Sequence, residues 1–408
     1  MNTSRRLFGL CAAAALVAAA VPGSAVAAAA KSTAYYGVGI GTSAAYLVDW
    51  LPKKKVRVAL SQGAATGTFS DDGTQKLISF TSPISATVDS FDDCGEPIQQ
   101  RTDLQQLVVR DLAGGAAQVV EMGVVVNIGG CQDGLTVPYG SPTDPGLGLS
   151  RLAMTARPPV SDLTPGTQVA GFSEDVLLPG EVTVAEDVVT FQAGSMQFQS
   201  TGHVVPAAFD ANQWLVLDLP GFQRAYTRLA VDAKTGGETW LLADWAGGQA
   251  QRVESRLLVK TAAGAGFGTV TQASRMWESG IFVNTRTPFF FYLYKNGTGE
   301  RVQKDLDLGT ESRVPIDSWG FDGLNLVQTR AFGGGVRHRN WVPLRNQGTK
   351  FRWVMESELI VPNVGEPFPL IKPRVNYYED TGKAVPPAQG AKASEGMVYL
   401  NSKPKLAR

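Results

Sequence analysis

From Ala34 onward, apolar and polar residues alternate along most of the chain with a period of two. "KKKVRVALSQG" (53–63), "QLVVRDLAGGAAQVVEMGVVVN" (106–127) and "AYTRLAVDAKTGGETWLLADWAGGQAQRVESRLLVK" (225–260) are short alternating or apolar runs, separated by clusters of Gly, Asp, Ser and Thr. Successive side chains of a strand point to opposite faces, so each run predicts a strand with a buried face. "DDGT" (71–74), "KTGG" (234–237) and "KNGTG" (295–299) mark the reversals, because Asn-Gly and Asp-Gly supply the positive φ of tight hairpins. Helical periodicity is nearly absent, and only "PGLGLSRLAMTAR" (145–157) predicts a short helix. The chain is therefore expected to be all-β, built of antiparallel β-sandwich or meander domains, with a β-propeller as the alternative.

Composition divides this pattern into segments. Prolines 138, 142, 145, 158, 159 and 165 crowd a stretch with little alternation. It predicts a linker or long loop over 136–168, between an N-terminal β domain (31–135) and an aromatic-rich antiparallel β domain (169–361). Residues 362–408 are proline-rich and then basic, and predict a partly ordered tail in which "GMVYLN" (396–401) could dock as an edge strand. Repeats bear on the propeller alternative. "AVDAKTGGETW" (230–240) resembles the A-x-D-x-x-T-G-x-x-x-W repeat of propellers related to quinoprotein dehydrogenases, through Ala230, Asp232, Thr235, Gly236 and Trp240. That resemblance implies a tryptophan docked between blades, and it covers one convincing copy.

The first thirty residues have the pattern of a cleaved export signal: Arg5 and Arg6, an apolar run Leu7–Val21, then Ala25-Val26-Ala27. Ser4-Arg5-Arg6-Leu7-Phe8 resembles the bacterial twin-arginine signal, which implies export of folded cargo. A periplasmic or extracellular location follows as the expectation. The apolar run is too short to span a bilayer, and no later stretch reaches the necessary length, so no transmembrane segment is expected. Without Arg5 and Arg6 the chain keeps 35 basic against 37 acidic groups. Such a near-neutral balance does not favour nucleic acid as a partner. Cys94 and Cys131 remain beyond the signal, and an exported pair predicts a disulfide.

Much of enzyme chemistry is thin in this sequence. His203 and His338 are the only histidines, so no zinc or copper cluster is expected. No G-x-S-x-G, Walker or dinucleotide motif occurs in a suitable context, so no cofactor is expected either. Chemistry needing only carboxylates survives, chiefly glycoside cleavage. In "KFRWVMESELIV" (350–361), Glu356 and Glu358 project from one strand face, about 6.6 Å apart. With Glu278 they are the candidate catalytic groups, although a solvated mixed-charge face is the simpler account. "PFFFYLYKNGTG" (288–299) is apolar on both faces and predicts a doubly buried strand, or an aromatic platform presenting Tyr292 and Tyr294.

"AFGGGVRHRNWVP" (331–343) lies between two predicted strands. Its glycines suit a reversal, and the downstream strand places Arg337, Arg339 and Trp341 on one face, a basic-aromatic patch fit for an acidic glycan or carboxylate. These signals together predict an exported β-rich binding or interaction protein, with a glycan or a cell-envelope protein as partner. A carbohydrate-active enzyme, hydrolase or lyase, using Asp or Glu is the alternative.

Overall fold

The computed structural model describes residues 32–37, 44–175, 184–267, 275–279, 289–294, 296–305 and 309–384. The predicted signal (1–30) and the end of the predicted tail, including 396–401, lie outside the described residues.

The chain is all-β and antiparallel, organised as three successive meanders. The first holds β1 (Ser32–Tyr36), β2 (Ala45–Leu51), β3 (Lys55–Leu60), β4 (Gly63–Asp71), β5 (Lys76–Phe91), β6 (Pro97–Asp111), β7 (Ala116–Ile128), β8 (Thr136–Tyr139) and β9 (Leu147–Ala153). Its order is β6-β5-β4-β3-β2-β1-β9-β7-β8, and β6 also pairs with β7, so eight strands close into a ring and β8 is added on β7. The second is a closed barrel of β10 (Gln168–Phe172), β11 (Asp187–Gln192), β12 (Ser195–Phe198), β13 (Val204–Phe209), β14 (Leu215–Leu219), β15 (Phe222–Val231), β16 (Glu238–Ala246) and β17 (Gln249–Lys260).

The third comprises β18 (Arg275–Ser279), β19 (Phe289–Leu293), β20 (Gly299–Asp305), β21 (Thr310–Ile316), β22 (Ser318–Asp322), β23 (Asn325–Phe332), β24 (Gly335–Gln347), β25 (Phe351–Pro362) and β26 (Phe368–Ala384). The order is β21-β20-β19-β18-β26-β25-β24-β23-β22. Its two edge strands, β21 and β22, are separated by Asp317 alone, so the edges meet and the sheet curls on itself. The backbone N–H of Trp319 donates to the Gly297 carbonyl at 2.7 Å near this closure. Closing a meander satisfies strand edges that would otherwise template aggregation.

Alternation explains the layers. Inward residues fill each unit: Tyr46, Val58 and Leu107 in the first, Phe172, Tyr226 and Trp240 in the second, Phe291, Trp341 and Tyr378 in the third. Outward apolar residues cement neighbours. Trp214 and Trp245 of the second unit join Ala45 and Leu47 of the first, and Ala170 and Val259 join Trp353 and Met355 of the third. Strand β17 packs against both neighbours, so the second barrel sits between the other two. The Ser255 hydroxyl donates to the Gly37 carbonyl at 2.6 Å across the first of these junctions.

Several expectations need correction. The predicted linker 136–168 instead supplies β8 and β9 to the first unit, and the predicted short helix is β9 followed by one 3₁₀ turn, Met154–Ala156. The predicted tail begins with β26, a strand in the interior of the third sheet, between β18 and β25. Proline misled the reading because strands of irregular register carry it at bulges and edges. The propeller-like hairpin is the β15–β16 turn, where Asp232 accepts from the Lys234 N–H and the Thr235 hydroxyl, both at 2.8 Å. Trp240 lies inside a closed barrel rather than between blades, its indole N–H on Glu238.

Cys94 and Cys131 form a disulfide that ties the β5–β6 turn to the β7–β8 turn. The Asp92 carboxylate braces both turns by accepting the N–H groups of Cys94, Glu96 and Cys131 at 2.7–2.9 Å. Asp92, Cys94 and Cys131 lie close enough together to suggest metal ligands, but the sulfurs are bonded to each other and offer no thiolate. Among the described residues no helix is long and apolar enough to cross a membrane.

Candidate anion-binding cleft

The β23–β24 hairpin builds the most chemically distinctive part of the molecule. Gly333 and Gly334 form the reversal between Phe332 and Gly335. Gly335 has φ +153°, and a Cβ there would lie 2.3 Å from the Val361 carbonyl oxygen, so only glycine lets β24 pair this closely with β25. The register then aligns Arg337 with Arg330 and Ile360, Arg339 with Gln328 and Glu358, and Trp341 with Leu326 and Glu356. Arg337, Arg339 and Trp341 do share one face, but that face turns into the third unit. Trp341 is fully buried, stacked on Tyr378 at 4.1 Å and edge-on to Phe291 at 4.9 Å. It is core, not a ligand platform.

Beside this aromatic cluster lies a shallow cleft, about 330 Å³ when the open solvent at its mouth is included. Arg301, Arg330, Arg337, Arg339 and Gln328 line it, with Phe291 and Ile316. Arg301 arrives from β20, paired across to Phe291 and Val314. The curling of the sheet is what brings β20 and β21 opposite β23 and β24.

Two carboxylates answer these cations. Glu358 accepts from Arg339 Nε at 3.0 Å and Nη2 at 2.5 Å, and meets Arg337 Nε at 2.7 Å. Glu356 lies 3.5 Å from both Arg339 Nη1 and Arg374 Nη2, and accepts from Asn376 Nδ2 at 2.9 Å. Both glutamates are buried. Burial pushes the Glu356 carboxyl up, but Arg374 and Arg339, with hydrogen bonds from Asn376 and Tyr378, prevail and hold it at about 2. Arg301 is pushed down to about 10, first by burial and then by Arg339, Arg337 and Arg330, against the opposing pull of Glu358. Among the described residues Arg330 has no carboxylate partner. The Gln328 amide nitrogen, at 4% exposure, has no acceptor among them either. Arg330 and the Gln328 amide thus leave donor capacity in the cleft for a ligand.

The other predicted site residues lie elsewhere. Tyr292 and Tyr294 sit on the opposite face of the β19 region from Phe291, packed with Val302 and Phe290. Tyr292 is 1% exposed, and the Tyr294 hydroxyl donates to Glu300 at 2.8 Å. The doubly buried strand is what forms, and no platform is presented by Tyr292. Glu278 belongs to β18, paired with Phe290 and Glu379, and its side chain is outside the described residues. Glu356 and Glu358 do share a face, yet it is an ion-paired interior and not a solvated surface.

Sequence reasoning missed Arg301, Arg330 and Gln328. Gln328 and Arg330 alternate with the inward Leu326, a signal visible only once the inward face is known.

The second barrel carries a buried network of its own. Arg224 and Arg252 each reach Asp244 at 2.8 Å, and Arg256 bridges Glu254 at 2.6 Å and Glu186 at 3.2 Å. Glu186 also accepts the Val375 N–H at 2.6 Å, which fixes the strand carrying Arg374 and hence the back of the cleft.

Comparison with family models, with curated proteins and with solved structures returned no match to this chain.

Proposed function

We propose that this chain is an exported, non-catalytic binding protein whose third unit takes an anionic group of a glycan or cell-envelope component. The observation that carries this reading is the clustering of guanidinium groups in a half-buried cleft, with Arg330 free of any carboxylate partner among the described residues. Guanidinium forks match carboxylate, phosphate and sulfate geometry, and the Gln328 amide can donate to a further oxygen. The cleft suits one such group and its immediate neighbours rather than a long chain.

Catalysis fits less well. A glycosidase acid needs a raised pKa, whereas Glu356 is held ionised and both glutamates are clamped by Arg339. Export rests on the pattern of residues 1–30, and a disulfide suits an oxidising compartment.

Isothermal titration with sulfate, an acidic oligosaccharide and its neutral counterpart tests the reading. Saturable, salt-sensitive binding of the anions is expected, weakened roughly tenfold by Arg330→Gln. Equal affinity for the neutral sugar, or no anion binding at all, would sink it.

A further inference from the structure

The β25–β26 hairpin beside the cleft is apolar, and its large side chains are exposed among the described residues. From Val361 to Leu370 the sequence is VPNVGEPFPL, with Glu366 its only charge. Val364 is 91% exposed and Phe368 48%, and Leu359, Val361 and Leu370 are exposed with them. Soluble surfaces rarely expose this many large apolar side chains at one hairpin without a use for them. The hairpin is not loosely placed. Asn363 N–H donates to the Gly334 carbonyl at 3.0 Å, so the tip is pinned on the glycine turn and projects past it.

Register relates this finger to the basic mouth. One cross-strand row runs Arg330, Arg337, Ile360, Phe368 over β23, β24, β25 and β26. Side chains of a row share a face and a height, so the two arginines and the phenylalanine lie level with one another on the inward face, at the end of the unit where both hairpins turn, spread over about 15 Å. Val364 then stands about 10 Å beyond that row, from the strand rise. A bilayer surface presents the complementary profile. Anionic phosphates lie at the headgroup level, and hydrocarbon begins within the 5–10 Å that interfacial elements penetrate, roughly.

We infer that the third unit docks on an anionic lipid surface, with the Val364–Phe368 finger seated in the interface and Arg330 and Arg337 meeting headgroup phosphates. This rests on the anion-binding reading of the cleft and names its ligand class. Charge complementarity selects a lipid surface over an apolar protein partner. Glu366 works against it, since its carboxylate would lie near the lipid phosphates.

Co-sedimentation of the purified chain with phosphatidylcholine vesicles, with and without phosphatidylglycerol, is the experiment, run beside sulfate titration. The expected result is binding that requires phosphatidylglycerol, falls at least tenfold in Val364→Asp/Phe368→Ser and rises in Glu366→Gln. Because Val364 and Phe368 are exposed, the double variant should keep the native melting temperature and the native affinity for sulfate. Native chain that binds sulfate but ignores phosphatidylglycerol vesicles overturns the lipid inference and leaves the anion cleft standing. Equal vesicle binding by the double variant, or equal binding to pure phosphatidylcholine, overturns it as well. Loss of sulfate binding by the native chain would instead remove the cleft reading beneath it.

Discussion

Replacing Glu358 by Gln should move stability and anion affinity in opposite directions. The carboxylate is buried and meets Arg339 at 2.5 Å and Arg337 at 2.7 Å. Removing one partner of a buried pair strands the other charge and costs about 3–5 kcal/mol. Glutamine keeps the shape and one acceptor oxygen, so the lower end applies, a fall of on the order of 15 °C in the melting temperature of the third unit. The same change deletes a negative charge beside the anion site. At about 6 Å and an effective dielectric near 20, that charge repels each unit of negative charge on a bound anion by about 3 kcal/mol. Solvent at the open side of the cleft screens part of this, so sulfate should bind roughly ten- to a hundredfold more tightly. Sulfate at about 100 times its dissociation constant should then restore about 2.7 kcal/mol of stability. Differential scanning fluorimetry and isothermal titration at low temperature read both quantities. If affinity falls together with stability, the glutamate is organising the site rather than competing with the ligand, and the charge argument is wrong.

Three further outcomes follow from the geometry. Glu356 is held at about 2 against an ordinary 4.5, so its contribution is complete above about 4.5 and is lost as pH falls through 2, about 3 kcal/mol in all. Melting curves from pH 6 to pH 3 should slope downward in the native chain and less steeply in Glu356→Gln; parallel slopes would contradict this. Cys94→Ser/Cys131→Ser opens a loop of sequence separation 37 and should cost about 4 kcal/mol on the chain-entropy estimate, with the first unit melting earlier. Unchanged melting in non-reducing buffer would mean the turns are held by Asp92 alone. A Cβ at Gly237 would lie 2.4 Å from the Trp353 ring, whose indole N–H donates to the Thr235 carbonyl at 2.7 Å. Gly237→Ala should therefore loosen the second unit from the third at a cost of about 1–3 kcal/mol, with a red shift in fluorescence that disappears in a Trp353→Phe background.

Local chemistry was legible in the sequence. Period-two alternation implied strands, Asn-Gly, Asp-Gly and triple glycine implied reversals, and two cysteines beyond a predicted signal implied the disulfide that forms. Face-sharing was legible too, for Arg337 with Arg339 and Trp341, and for Glu356 with Glu358. Each of these depends on neighbours a few residues apart, where backbone geometry leaves few choices.

Alternation is symmetric, however, and states which residues share a face without saying which face is inside. When that face turned inward, a presumed surface patch became a buried ion-pair cluster, and Trp341 became its floor. Proline density could not reveal that β9 closes the first ring or that β26 lies in the interior of the third sheet. Those roles are set by pairing with strands far away in sequence. The cleft is the extreme case: Arg301 reaches Arg330, Arg337 and Arg339 only because β21 and β22, joined through Asp317, force the sheet to curl. The sequence alone determined strands, turns and shared faces, because these are local. Which side is buried, and which arginines meet, was decided by closure of the sheet.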